Sequence, residues 1–287
     1  MRMRGTRVWG PLKASSWLGW QVEANWADPL LFLSYAVIRP IAASLILLFM
    51  YLIVTRGSTS GDLFAFIFVG NAFYMYVGQV LFGISLAVID DREHYEMIRY
   101  IYISPFSFYT YLIGRGMAKL FVTTVAVIVA LSFGILVLKI PIHWSVFSGS
   151  NLPYLLLSFF LGLLGIFALG IILAGITLLV PRHSSLMSEG LAGVFFLLCG
   201  AIFPIELLPT WMEAIGKALP FTYWLEAMRR ATLGKSISTA LAHHSNGEIL
   251  LILLMTTVGL VVISDRVFRW AEYWARRRGV IDRTTGY

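Results

Sequence analysis

Six apolar stretches punctuate the chain, each bounded by polar or charged residues: Leu30–Val54, Leu63–Ile89, Phe108–Leu138, Pro153–Val180, Leu191–Phe203 with a lead-in from Ser185, and Ile249–Val267. A hydrocarbon core about 30 Å thick needs about 20 apolar residues in a helix to cross it, so the pattern predicts six membrane spans. The fifth stretch does not end cleanly. From Ala201 to Arg230 the apolar character continues, but Pro204, Pro209 and Pro220 break it and Glu206, Glu213 and Glu226 interrupt it. That segment is too apolar for a solvated loop and too broken for a span. Backbone groups at membrane depth must be paired internally, so it is expected to be re-entrant, packed in protein or lining a watery cavity.

The connecting segments carry helical patterns of their own. Trp9 to Asp28 mixes Trp9, Trp17, Trp20 and Trp26 with Lys13, Gln21, Glu23 and Asn25, which suits a helix lying in the membrane interface; Pro29 then redirects the chain. After the second span come Asp90 to Glu96 and a stretch from Met97 to Ser104 and Pro105, in which Met97, Ile98, Ile101 and Tyr102 recur at helical spacing and Glu93, Glu96, Arg99 and Tyr100 fall on other faces. This predicts a short amphipathic helix, either an interface connector or a docking surface for a soluble partner. Ser184 or Ser185 is placed to cap the fifth helix. Within the broken segment Thr210 and Glu213 fit a capping box, and a second helix, Phe221–Leu233, spaces Glu226 and Arg230 for pairing. Asn71, Tyr74, Gly78 and Ser85 form a stripe on the second span that either lines a pathway or packs. Gly162, Gly165, Gly170 and Ala174 of the fourth span read as packing, and Arg39, beside Pro40 in the first, reads as an interface anchor.

Composition fixes the class. The 287 residues are 59% hydrophobic and 13% charged, with a mean hydropathy of +0.80, far from the roughly 45–50% apolar and 25% charged of soluble domains. This is an all-α integral membrane protein. Residues 1–28 lack the continuous apolar core of a cleavable signal, so retention of that segment is expected. Six spans put both ends on one side. With the ends cytoplasmic, 16 of the 22 Lys and Arg fall inside, against Arg56, Lys139, Lys217, Arg229, Arg230 and Lys235 outside, and the positive-inside rule selects that orientation. The net charge of +7 is then a topology signal rather than a nucleic-acid footprint. The single Cys199 reads as a small buried apolar residue. No span carries a mid-membrane acid or histidine relay of the kind ion-coupled carriers use. Gly234-Lys235-Ser236 lacks the first glycine of a phosphate-binding loop, since position 229 is Arg. No Gly-x-Ser-x-Gly elbow occurs, and His243-His244 has no partner at metal-ligand spacing, so enzymatic chemistry has little to stand on.

Two blocks carry a family likeness. Asp91-Arg92-Glu93 through Ile103-Ser104-Pro105 to Gly114-Arg115, and Gly200 to Arg229 with Phe203-Pro204, Leu208-Pro209, Trp211, Leu219-Pro220 and Tyr223, make the chain resemble the membrane permeases of type-2 ATP-binding-cassette exporters over nearly its whole length. Tyr95-Glu96 stands where many relatives have Gly-Thr. The resemblance implies a single transmembrane domain over residues 1–287: an interfacial helix at 1–28, spans one to four in 30–180 with a coupling helix at 91–105, spans five and six in 185–270 with the re-entrant element at 204–233, and a cytoplasmic tail at 271–287. It further implies alternating access driven by two copies of a cytoplasmic cassette ATPase. That partner would bind ATP and Mg; no cofactor is expected in this chain, which would be a transport subunit in the cell membrane, not an enzyme. Asp91, Arg92, Glu93, His94, Tyr95, Glu96, Arg99, Tyr100, Ser104 and Pro105 would couple to the ATPase. Asn71, Tyr74, Gly78, Phe196, Gly200 and Phe203 would line a pathway between two permease copies, a homodimer in preference to a heterodimer. Pro204, Glu206, Pro209, Trp211 and Tyr223 would form the outer gate. The N-terminal Tyr-containing pattern common in polysaccharide exporters is missing, which favours a drug-like or lipid-like substrate over a glycoconjugate. A stand-alone channel or ion-coupled carrier is the alternative class. Membrane lipids are expected partners and nucleic acid is not.

Overall fold

The computed structural model describes residues 9–24, 29–56, 61–142, 151–181, 184–234 and 238–283, and every regular element among them is helical. Helix α1 spans Trp9–Ala24 and α2 Pro29–Val54. The second apolar stretch forms one rod: α3 (Gly61–Tyr76), a π-helical segment (Val77–Leu81), α4 (Phe82–Ile89) and a second π-helical segment (Asp90–His94). Then follow α5 (Ile98–Ile103), α6 (Phe108–Leu136), α7 (Asn151–Leu179), α8 (Ser184–Leu198), α9 (Thr210–Ala218), α10 (Pro220–Leu233), α11 (Thr239–Ala242) and α12 (Asn246–Arg278). Among the described residues, five helices are long and apolar enough to cross a membrane: those containing Ala36–Val54, Asp62–His94, Phe108–Leu136, Asn151–Leu179 and Asn246–Arg278.

Helix α8 departs from the expected fifth span. It has 15 residues, about 22 Å at the α-helical rise. Gly200 in the left-handed region (φ 69°) turns the chain, and Pro204 removes a backbone donor soon after. In contrast, α12 outruns its expected limit at Val267 by three turns, because Asp265–Arg269 and Glu272–Arg276 pair one turn apart and continue the helix to Gly279 (φ 63°). Residues 271–278 of the expected tail are therefore helical. The expected capping box at Thr210 does not form: Pro209 occupies the cap position, so the Thr210 hydroxyl lies one residue too far in, and Glu213 pairs with Lys217 instead at 2.7 Å. A capping box is present at Ser245 and Glu248. The capping expectation at Ser184 and Ser185 falls on side chains outside those described, as do the basic residues Arg2, Arg4, Arg7, Arg182 and Lys235.

Small residues set the packing, as expected where helices must approach closely without a solvent-driven force between them. On Gly114 an added Cβ would lie 2.3 Å from Ser15 Cβ, and on Gly19 it would lie 2.8 Å from Ala118 Cβ. Ser15 and Gly19 thus meet Gly114 and Ala118 in ascending order, so α1 runs alongside the first turns of α6 in the same direction. Glu23 then binds Lys119. The same bookkeeping orients the spans. Leu81 and Ile84 meet Gly170, and Ser85 meets Thr177 (2.7 Å); Thr257 and Ala271 meet Gly165 and Gly175. The rod, α7 and α12 are therefore parallel. Gly134 against Phe68 and Gly116 against Ile84 make α6 antiparallel to them. The first helix and the end of the last helix lie at the same end of the bundle as α5. The rod is its centre, with 78% of its apolar window buried against 22% for α2.

Gly162 carries a very close helix contact, since a Cβ there would lie 2.1 Å from two Trp224 ring atoms. Gly162→Ala is expected to lower stability by about 1–3 kcal/mol through overpacking. Gly259→Ala, with nothing within 4 Å, is expected to raise it by up to about 1 kcal/mol through helix propensity. Thermal unfolding of the detergent-solubilised chain checks both signs.

Candidate functional site

At one end of the bundle the rod turns into α5, and this turn divides into anchored and presented residues. Asp91 is buried: Tyr111 donates to its Oδ2 at 2.7 Å, and Arg115 Nη2 lies 3.8 Å from its Oδ1. The buried Arg92 guanidinium donates to the carbonyls of Thr177 (3.2 Å) and Pro181 (3.3 Å) at the end of α7, and its Nε to Glu93 Oε1 at 3.2 Å. The last carbonyls of a helix lack intrahelical partners and carry its negative dipole end, so a guanidinium satisfies both demands there. Past these anchors the chain turns through Glu96 in the left-handed region (φ 49°), an unusual conformation for a side-chain-bearing residue. Met97 N–H donates back to the Asp91 carbonyl at 2.9 Å. Helix α5 then buries Ile98 and Ile101, while His94, Tyr95, Glu96, Arg99, Tyr100 and Pro105 are exposed and Ser104 is half-buried. The Ser104 hydroxyl donates to the Ile101 carbonyl and closes α5. The fold thus joins the ten expected coupling residues in one unit, but only part of it faces outward. Tyr111 and Arg115, which hold the buried part, lie 20 or more residues downstream; a charge inside a predicted span was the available signal.

At the opposite end lies the broken segment. Arg229 of α10 is buried. Its Nη2 donates to the Gly200 and Ala201 carbonyls at 2.7 and 2.8 Å, its Nε to the Phe66 carbonyl at 3.1 Å, and its Cζ sits 3.6 Å over the Phe66 ring. Gly70 makes room: a Cβ there would lie 1.8 Å from Arg229 Nη2. The sequence reading missed this clamp, although a glycine among Phe64, Phe66 and Phe68 marked the close approach. Arg230 faces the other way, pairing with Glu226 at 2.9 Å as expected and donating to the carbonyls of Leu241 (2.6 Å) and His244 (2.7 Å). Helix α10 is buried along most of its length. Of the expected gate residues, Tyr223 is buried beside Ile205, Leu241 and Ile249, and Glu206 accepts from Ser238 at 3.0 Å. Pro204 is half-buried, and Pro209 and Trp211 are exposed.

The expected pathway residues are only partly together. Tyr74 donates to the Ala192 carbonyl at 2.8 Å, and its ring lies 4.8 Å from that of Phe196, so this pair holds α8 to the rod. Ser85, bonded to Thr177 and within 3.3 Å of Ser188, does the same a few turns away. Gly200 is buried in the Arg229 clamp. Asn71 and Gly78 are half-buried, and Phe203 is exposed, as are Leu207, Trp211 and Ile215.

Residues 13–233 match the family model of the ABC-2 type transporter. Over 160 residues the chain is 26% identical to the protein named "Probable multidrug ABC transporter permease YbhR" in two strains of Escherichia coli, a match covering 54% of this chain and 40% of the relative. The chain thus matches about two fifths of that relative's length.

Replacing Arg229 by Met is expected to lower stability by about 3 kcal/mol or more, since buried carbonyls lose a charged donor. Lys is expected to rescue little, because one ammonium does not reproduce a planar fork. Thermal unfolding of both variants in detergent measures the losses.

Proposed function

The chain belongs to the ABC-2 type transporter family, and we propose that it is the membrane permease of an ATP-driven exporter whose energy comes from a separate cassette ATPase. The observation carrying this reading is the division of residues 91–105. Asp91 and Arg92 are tied to α6 and α7, while Tyr95, Glu96, Arg99, Tyr100 and Ile103 are exposed on the outer side of a short element that buries Ile98 and Ile101. An exposed, mixed aromatic and charged surface on a rigid anchor suits a protein partner. Force applied there passes directly to the rod, α6 and α7. The ten residues named for coupling therefore split in our reading: Asp91, Arg92 and Ser104 fix the element, Glu93 braces Arg92, and His94, Tyr95, Glu96, Arg99, Tyr100 and Pro105 meet the ATPase.

Helix α8 runs opposite to the rod, from the Ser85–Ser188 contact to the Arg229 clamp, and we take it with the five long helices as the sixth crossing. The positions of α1 and of the end of α12 beside α5 support both ends being cytoplasmic. In this reading the exposed apolar residues Val194, Leu197, Phe203, Leu207 and Trp211 face a second permease copy, with the pathway between the two. The broken segment, held by Arg229 and Arg230, forms the outer gate. Substrates are hydrophobic or amphipathic, as the name of the Escherichia coli relative suggests.

Two outcomes test this. Glu96→Lys is expected to cut ATP-driven dye efflux from vesicles at least about tenfold, equivalent to ~1.4 kcal/mol of docking, whereas Glu96→Gly, which relieves the left-handed turn, keeps the complex assembled. Unchanged efflux in Glu96→Lys, or efflux by the permease without an ATPase, would sink the reading. Phe203→Cys is expected to react with membrane-impermeant thiol reagents in a nucleotide-dependent way against a silent background, because Cys199 is buried. Labelling identical in every nucleotide state counts against a pathway position.

A further inference from the structure

Two cavities open on the side of the bundle away from α8, and they meet. The first, about 350 Å³, lies between α6, α7 and α12 and is lined almost wholly by apolar groups, among them Ile113, Met117, Leu164, Phe167 and Val261. The second, about 330 Å³, lies one turn nearer the α5 end and is lined by Tyr102, Phe106, Asp265, Arg269, Glu272 and Arg276. Tyr109 lines both. Its ring stands edge-on to Phe268 at 5.6 Å, and Ser264 and Asp265 are neighbours on α12. An apolar trough therefore opens into a charged one at the end of the bundle where the basic residues of α12 gather.

The charged trough is a ladder of alternating sign. Asp265, Arg269, Glu272 and Arg276 follow at intervals of four, three and four residues, and so share one face of α12. Arg269 Nε donates to both Asp265 oxygens (2.9 and 3.0 Å), and Arg276 Nη2 to Glu272 Oε1 (2.7 Å). Arg269 makes no hydrogen bond through its other nitrogens among the described residues, which leaves donors for an anion. The Tyr102 hydroxyl, also on this trough, is buried beside Glu272 and Arg276. Burial raises the Tyr102 phenol above its ordinary value, so it is a neutral donor at working pH. A purely anionic headgroup would meet only half of the ladder. A quaternary ammonium would seek an open aromatic face, but Phe108 stacks on Tyr102 at 4.9 Å and Arg276 covers that ring at 4.8 Å. A phosphate joined to a primary ammonium satisfies both signs: the phosphate takes arginine donors, and the ammonium gives its hydrogens to Asp265 and Glu272.

We propose that α6, α7 and α12 form a binding site for a phospholipid of the phosphatidylethanolamine type, with an acyl chain in the apolar trough and the headgroup on the Asp265–Arg276 ladder. The site is separate from the proposed pathway and does not depend on the transport reading. An occupant there bridges α5 to α6, α7 and α12 and stiffens the end of the bundle that carries the exposed surface.

The test uses the full chain in mixed-lipid vesicles with trace photoreactive probes that carry the same diazirine acyl chain on ethanolamine, choline or glycerol headgroups. Adducts are mapped by peptide mass spectrometry. The ethanolamine probe is expected to label the segments 113–120, 160–171 and 261–264 at least about fivefold more than the other two, as one extra hydrogen bond gives. Arg269→Gln combined with Glu272→Gln, the first at an exposed and the second at a half-buried position, is expected to erase that preference. Equal labelling by all three probes, preference for another headgroup, or labelling concentrated on the outward face of α2 at Ile46 and Phe49 would overturn the proposal. A preference that survives the double substitution would overturn it as well.

Discussion

A carbonyl oxygen that has lost its helical partner cannot be wetted inside an apolar bundle, and two buried arginines answer that constraint here. Arg92 takes the carbonyls that end α7, and Arg229 takes those that follow α8 while also reaching the Phe66 carbonyl. A guanidinium offers five donors in one plane, so a single side chain covers several oxygens where a lysine would cover fewer. Both sites lie at helix C-termini, where the backbone dipole favours a cation. Without them, neither the abrupt end of α7 nor the broken chain after α8 would have an internal partner for its backbone.

Both arginines also bind to or arise from the same rod. Arg92 grows from the end of that rod, and Arg229 grips it near its beginning. The two regions with proposed roles, the exposed surface around α5 and the segment from Gly200 to Leu233, are thus fixed to opposite ends of the most buried of the five long helices. Small residues do the rest: Gly70, Gly114 and Gly162 admit a guanidinium, a helix backbone and an indole, respectively. A bundle joined this way transmits displacement, because few of its joints can yield without exposing a charge or a carbonyl.

Much of this was legible in the sequence, since hydrophobic period and proline punctuation are local signals. The long helices, the break after Cys199, the amphipathic α5 and the Glu226–Arg230 pair all follow from residues within a few turns of one another. What the sequence concealed was long-range or geometric. Arg229 and Phe66 are 163 residues apart, and no spacing rule links them. Thr210 and Glu213 matched a capping pattern, yet Pro209 took the cap position; the pattern that does cap, at Ser245 and Glu248, was passed over. Asp91 and Arg92 read as loop charges because the rod was expected to stop at Ile89, whereas it continues through a π-helical turn and draws both inward.

The two π-helical segments have a mechanical corollary. Val77–Leu81 and Asp90–His94 bracket α4, and a π turn holds one residue more than an α turn. Converting either to α geometry re-registers the flanking helix by one residue, a swivel of about 100° around its axis. Helix α4 is thereby built like a short shaft between two universal joints, able to take up torsion while the ends of the rod stay seated in their sockets.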